Sequence, residues 1–149
     1  MNNLIEEAIF LSNLDQLRDR ISVACASAGR SPDEVNILPI TKTFPLGAAE
    51  YALRSGYFSV GENRVQEALG KMQDASPLLQ WELVGHLQSN KAKLAAGAFS
   101  RIQSVDSLKL LRRINAAMPA PEVSQRILLQ INAGEDPAKF GAGPEDAEA

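Results

Sequence analysis

The sequence predicts an α/β fold with a parallel sheet. Five short apolar segments alternate with segments of helical periodicity, and glycine, proline or asparagine separates most of them. Such alternation is typical of βαβ units. Two architectures remain open: a doubly wound sheet, for which 149 residues make a whole domain, and a (β/α)8 barrel of the TIM type, which takes about 250 residues. A helix start at Pro144, five residues before the last residue, favours the first five βα units of a barrel.

The N-terminal part of the chain predicts one long helix followed by the first strand. Residues 3–29 carry apolar residues such as Leu14 and Ile21 at helical spacing, and Gly29 ends the pattern. The next apolar segment, residues 35–40, is rich in β-branched residues and predicts a buried strand. Pro39 lies inside it and argues against a central position in a hydrogen-bonded ladder.

The remaining segments continue the alternation. We predict strands at residues 57–60, 81–84, 99–103 and 127–131. We predict helices at residues 46–55, 65–73, 89–96 and 107–118, with a further helix starting at 144. We interpret Ser89 and Asp106 as N-cap residues, because each lies where a helical segment begins.

Composition excludes several functional classes. The net charge of −3 and a pI near 5.2 leave no basic surface typical of nucleic-acid binding. No apolar run approaches the roughly 18 residues of a membrane span. The N-terminus carries Glu6 and Glu7 and lacks the basic region of a secretory signal. A single cysteine permits no internal disulfide and no cysteine-based metal cluster, so we expect a reduced, cytoplasmic protein without a metal.

Polar residues follow each predicted strand, where ligands bind in both architectures. Lys42 follows the first strand, Glu62 and Asn63 the second, and His86 the third. A lysine near an apolar strand end loses its proton more readily, and the neutral amine can form a Schiff base with an aldehyde. The simpler interpretation is a lysine that extends to water.

The other polar residues at these strand ends also allow two interpretations. His86 could act as an acid or base, or it could be a hydrogen-bonded loop residue. Glu62 and Asn63 could orient Lys42 or a ligand, or they could cap the next helix. No phosphate-binding P-loop, no G-x-G-x-x-G after the first strand and no G-x-S-x-G motif occurs, which disfavours those nucleotide-binding and hydrolase classes.

Six segments together carry a family resemblance. The most specific is the run G-H-L-Q-S-N-K within residues 81–91. The others are residues 40–43, 61–67, 104–107, 130–132 and 139–141. Taken in their order along the chain, the six segments resemble those of the pyridoxal phosphate homeostasis protein family, also called the YggS/PROSC family. The resemblance covers about residues 14–149.

The resemblance implies a barrel like the N-terminal domain of alanine racemase. It implies pyridoxal 5′-phosphate (PLP) held by Lys42 as a Schiff base, with Asn63 near the cofactor and His86 at the mouth of the third strand. The family is regarded as a PLP carrier and regulator without established turnover. A PLP-dependent racemase is the alternative, although the racemases that this barrel resembles need a tyrosine from a second domain. A small binding module without cofactor is a third possibility.

One departure from the family pattern affects the expected cofactor site. In the family, late S-x-D and G-S-T…R-I-G segments hold the cofactor phosphate, and neither segment occurs after the fifth predicted strand of this sequence. We therefore expect one barrel domain over residues 1–149, incomplete at its C-terminus, with the Schiff-base lysine but without that phosphate site. Five strands would also leave two open sheet edges, which predicts self-association.

Overall fold

The computed structural model describes residues 4–120 and 122–147. It contains a parallel sheet formed by β1 (Ser59–Glu62), β2 (Gln80–Leu83), β3 (Arg101–Val105) and β4 (Arg126–Leu129). The helices are α1 (Glu7–Ala28), α2 (Leu46–Arg54), α3 (Val65–Met72), α4 (Ala92–Ala95) and α5 (Leu108–Ala116). Short 3₁₀ turns occur at Pro32–Glu34, Ser89–Lys91 and Pro144–Ala147.

The strand order decides between the two predicted architectures. Each strand pairs in parallel with the next strand along the chain, in the order β1-β2-β3-β4. A doubly wound sheet would reverse its order at a switch point, whereas a barrel adds strands in sequence. The chain therefore has the partial (β/α)8 barrel topology that the sequence predicted.

The predicted first strand, residues 35–40, is wrong as a regular strand. It contacts the sheet through one parallel bridge between Ile40 and Gly61. Gly61 N–H donates to Pro39 O at 2.8 Å, and Thr41 N–H donates to Gly61 O at 3.0 Å. Pro39 has no N–H of its own to extend the ladder. The segment nevertheless lies beside β1, as a first barrel unit requires.

Four predicted helical segments agree with α1, α2, α3 and α5, but the predicted helix start at Pro144 is a 3₁₀ turn and two predicted caps are wrong. Helix α1 ends at Gly29, whose φ of 64° suits glycine at a helix C-terminus. The N-cap of α5 is Ser107, whose Oγ accepts from Leu110 N–H, so the interpretation of Asp106 as the cap is wrong. Ser89 is also not a cap, because it begins a 3₁₀ turn whose preceding residue is Gln88. The predicted helix 89–96 is thus split into that turn and α4.

The sheet has two different faces. Val60, Leu83 and Ile102 lie on the face covered by the helices and are fully buried. The alternate residues form what we call the open face, defined by Ile40, Gly61, Glu82, Arg101, Arg126 and Leu128. Ile40 and Leu128 are each 44% exposed there. Within the described ranges, no helix is both long and apolar enough to cross a membrane.

Candidate functional site

The three predicted site residues all lie beyond the carboxyl ends of neighbouring sheet segments. Lys42 comes two residues after the Ile40 bridge and is exposed, as the interpretation of a lysine extending to water expects. Asn63 directly follows β1 and is half-buried. His86 is the third residue after β2, and its side chain is 29% exposed. The topology therefore places all three residues at one end of the sheet.

Asn63 and His86 line the same cavity. A Cβ at Gly85 would overlap the backbone of Asn63, so glycine is what allows the loop after β2 to approach the loop after β1. The cavity beside them has a volume of about 380 Å³. Arg64 and Lys91 also line it and give it positive charge, whereas Lys42 does not line it.

The His86 ring is held by one aromatic contact and one charged neighbour. It stacks on Phe140 with ring centroids 3.6 Å apart and an interplanar angle of 9°. His86 Nδ1 lies 3.2 Å from Asp106 Oδ2, but the geometry does not form a hydrogen bond, and Nδ1 is buried without a partner. The contact is therefore an ion pair only when the ring is protonated. We call His86, Asp106 and Phe140 the His86 cluster.

Next to Lys42 lies a partly buried polar network, which we call the Lys71 cluster. Its members share hydrogen bonds around one ammonium group and are Thr41, Thr43, Glu62, Glu67 and Lys71. Lys71 Nζ donates to Glu62 Oε1 at 2.7 Å, to Thr41 O at 2.9 Å and to Glu67 Oε1 at 3.1 Å. Glu62 is fully buried, and its Oε1 also accepts from Thr41 Oγ1 at 2.6 Å.

The same cluster reaches the residue that follows Lys42. Thr43 has a φ of 66°, a left-handed conformation that a β-branched residue rarely adopts. Its N–H donates to Glu67 Oε1 at 2.7 Å. Burial raises the pKa of the Glu67 carboxyl, but the hydrogen bonds from Lys71 and Thr43 outweigh burial and hold that pKa below its ordinary value.

A second charged group lies on the open face. Arg101 donates two hydrogen bonds to the Glu82 carboxylate, each 2.8 Å long, and Gln103 donates a third. Burial raises the pKa of Glu82, but these donors reverse the shift and hold the pKa below its ordinary value. Among the described residues, no group of three or more His, Cys, Asp or Glu side chains could hold a metal ion.

Sequence reasoning identified the strand-end residues but missed their supports. Glu62 does not cap the next helix, since Arg64 occupies the N-cap position of α3 and no side chain caps it. The spacing of Glu67 and Lys71, four residues apart on a helix, was a signal for their ion pair. The contact between His86 and Phe140 had no local signal, because the two lie in different loops.

Comparison with known families gives a match over most of the chain. The family profile described as "Alanine racemase, N-terminal domain" matches residues 12–149. A curated protein from Escherichia coli strain K12, named pyridoxal phosphate homeostasis protein, is 38% identical over 133 residues. That alignment covers 87% of this chain and 57% of the relative. A protein of the same name from Pseudomonas aeruginosa is 38% identical, with 92% of this chain and 60% of the relative covered.

Solved structures also match most of this chain. PipY from Synechococcus elongatus PCC7942, solved with PLP bound, has a TM-score of 0.70 and 36% identity, covering 85% of this chain and 59% of that chain. A structure from Bifidobacterium adolescentis, described as an unknown protein, has a TM-score of 0.83 and 29% identity, covering 98% of this chain and 65% of that one. This chain thus spans about three fifths of the length of these relatives.

Proposed function

The chain belongs to the alanine racemase N-terminal domain family, and from this premise we propose that it binds PLP through Lys42 and serves intracellular PLP homeostasis. Curated relatives that are 38% identical carry the name pyridoxal phosphate homeostasis protein. A solved relative, PipY, is described with PLP bound. These relatives support the choice of cofactor.

The observation that carries the proposal is the position of Lys42. It is an exposed primary amine at the carboxyl end of the first sheet segment, where ligands of parallel α/β folds bind. Such an amine fits the aldehyde of PLP: Lys42 would hold the cofactor through a C=N bond to Nζ, whose formation would release one water. The bound cofactor would supply an electron sink for amino groups.

Asn63 and His86 are the other residues that we propose for the cofactor site. Both line the cavity of about 380 Å³ at the same end of the sheet. The amide of Asn63 can donate to or accept from a ring substituent. Arg64 and Lys91 line the same cavity, and their positive charge suits a cofactor that carries a phosphate group.

Absorbance titration with PLP tests the proposal. The wild-type protein is expected to change the absorbance spectrum of PLP, because Lys42 reacts with the PLP aldehyde. The change should reach a plateau as the protein is titrated with PLP. Lys42→Arg keeps the positive charge but cannot form the C=N bond, so the change should disappear. Lys93→Arg is the matched control, since Lys93 is an exposed lysine on α4. Equal spectral changes in the wild type and Lys42→Arg would contradict the proposal.

We infer further that the protein is a carrier and does not racemise amino acids. Racemisation needs an acid–base group on each face of the planar carbanion. The sequence has two tyrosines, and both contact the N-terminal region: Tyr51 OH donates to Ile5 O, and Tyr57 OH accepts from Arg18. Incubation with PLP and L-alanine in deuterated water should give no more D-alanine than free PLP gives. An excess that His86→Ala abolishes would favour the racemase alternative.

The remaining proposals concern location and partners. We propose a cytoplasmic protein that binds neither nucleic acid nor membranes, in keeping with its net charge of −3 and its single cysteine. We also propose self-association through the open sheet edges, one of which is β4, where Leu128 is 44% exposed. Light scattering over a concentration series should show association that Leu128→Lys reduces. A concentration-independent mass would contradict it.

A further inference from the structure

We propose that Glu67 and Lys71 are positioning residues, which hold the backbone after Lys42 in one conformation and thereby direct its amine toward the carboxyl end of the sheet. The proposal rests on the proposed attachment of PLP to Lys42 and adds the residues that prepare it. Neither Glu67 nor Lys71 was a candidate site residue from the sequence.

The first support is the conformation of Thr43. Its φ of 66° is left-handed, and a β-branched residue adopts that conformation only where its surroundings compensate for the strain. Its N–H donates to Glu67 Oε1 at 2.7 Å, so the strained residue is bonded to α3. Backbone strain of this kind collects at functional sites.

The second support is that the residue before Lys42 is fixed by the same cluster. Lys71 Nζ donates to Thr41 O at 2.9 Å, and Thr41 Oγ1 donates to Glu62 Oε1 at 2.6 Å. Thr41 is buried, whereas Lys42 is exposed. The backbone is therefore held on both sides of Lys42, while its side chain stays accessible to an aldehyde.

The third support is the burial of the charged groups in this network. Glu62 is fully buried, and the Lys71 side chain is only 10% exposed. A buried ion pair is often no more stabilising than apolar residues of similar size, so stability alone does not account for it. Glu67 Oε1 accepts hydrogen bonds from both the Lys71 ammonium and the Thr43 backbone N–H. It therefore links the buried charge to the turn that carries Lys42.

Glu34 offers a matched control for Glu67. It pairs with Arg30 four residues away at 3.2 Å, and its other oxygen accepts from Ser31 N–H at 2.9 Å. It therefore makes the same two kinds of contact, one with a cation and one with a backbone N–H. Glu34 follows α1 and lies outside the Lys71 cluster.

The experiment measures how selectively PLP labels Lys42. Protein is incubated with PLP, reduced with borohydride and digested, and the ratio of labelled Lys42 to labelled Lys93 is read by mass spectrometry. Glu67→Ala should lower this ratio about fivefold, the scale set by the preference against the left-handed conformation in non-glycine residues. Glu34→Ala should leave the ratio unchanged. General unfolding would also lower the ratio, but far-UV circular dichroism would reveal it, and glycine in place of Thr43 would not reverse it.

A glycine variant tests the role of the strain itself. Glycine adopts positive φ freely, so Glu67→Ala combined with Thr43→Gly should regain most of the lost selectivity. An unchanged ratio in Glu67→Ala, or a double variant no better than Glu67→Ala, would overturn the proposal.

A second measurement does not depend on PLP. Exchange of the Thr43 amide proton should be several-fold faster in Glu67→Ala than in the wild type and in Glu34→Ala. Unchanged exchange would overturn the positioning role. If the exchange changes as expected but wild-type Lys42 is labelled no more than Lys93, the proposed function fails and the positioning role stands.

Discussion

The Lys71 cluster and the His86 cluster lie at the same end of the sheet but are held by different forces. In the Lys71 cluster, five hydrogen bonds form one network, and two of them hold the backbone on either side of Lys42. In the His86 cluster, the ring rests on a stacking contact with Phe140, and its Nδ1 has no hydrogen bond. The backbone around Lys42 is therefore held by directional hydrogen bonds, which the His86 ring nitrogen Nδ1 lacks.

The largest expected effect follows from removing the cation of the Lys71 cluster. Lys71→Met leaves the fully buried Glu62 carboxylate without its cation and with only the hydrogen bond from Thr41 Oγ1. We expect a loss of about 3–5 kcal/mol in the free energy of unfolding, the usual result of breaking a buried pair from one side. Urea denaturation measures this loss.

An exposed ion pair gives the control for this prediction. Arg54 pairs with Glu7 at 2.8 Å, and both side chains are at least 40% exposed. Arg54→Met should cost far less than Lys71→Met, because solvent already screens the pair. Equal losses in the two variants would show that the Lys71 cluster is no more important to the fold than a surface contact.

The pH dependence of stability gives the next effect. The pKa of Glu67 lies below its ordinary value of 4.5, because the hydrogen bonds from Lys71 and Thr43 outweigh the effect of burial. The unfolded chain therefore binds this proton first as the pH falls. The contribution of Glu67 to stability is present above about pH 4.5 and is lost as the pH falls through the folded-state pKa.

The variant Glu67→Gln isolates this contribution. The charged groups around Glu67 are Arg64, Lys71 and Glu62. The pKa of Glu82 is also lowered, but this shift is present in both the wild type and the variant and does not affect their difference. The unfolding free energy of Glu67→Gln should therefore decline less steeply below pH 4.5 than that of the wild type. Parallel curves from pH 6 to pH 3 would contradict the assigned pKa direction.

The smallest effect is expected in the His86 cluster. Phe140 is 56% exposed, so Phe140→Ala should cost only about 1 kcal/mol, the scale of one aromatic pair. It should leave PLP labelling at Lys42 unchanged. Denaturation and peptide mapping measure these two outcomes. A loss as large as that of Lys71→Met would remove the distinction between the two clusters.

The sequence was sufficient for the order of elements because their signals are local. Gly29 marks the end of α1, and short apolar segments mark the strands. Strand ends shifted, since pairing between segments rather than composition sets them; β1 runs over Ser59–Glu62, not residues 57–60. Pro39 correctly warned of an irregular first segment, which forms a single bridge.

The site could be predicted only in part for a related reason. Lys42, Asn63 and His86 follow strand ends, so topology alone brings them to one end of the sheet. Their supports depend on contacts between distant segments, such as Thr43 with Glu67 and His86 with Phe140. No local pattern encodes a left-handed threonine, and Asp106 resembled a helix cap because Ser107 beside it has the same preference.

Reductive trapping of PLP on the wild-type protein shows which lysine binds the cofactor. Borohydride converts the C=N bond into a stable amine, and peptide mapping then identifies the modified lysine. We expect a single main adduct on Lys42. The attachment of PLP to Lys42 would be contradicted if Lys42 stayed unmodified while labelling centred on Lys139, in the loop after β4, or spread over surface lysines.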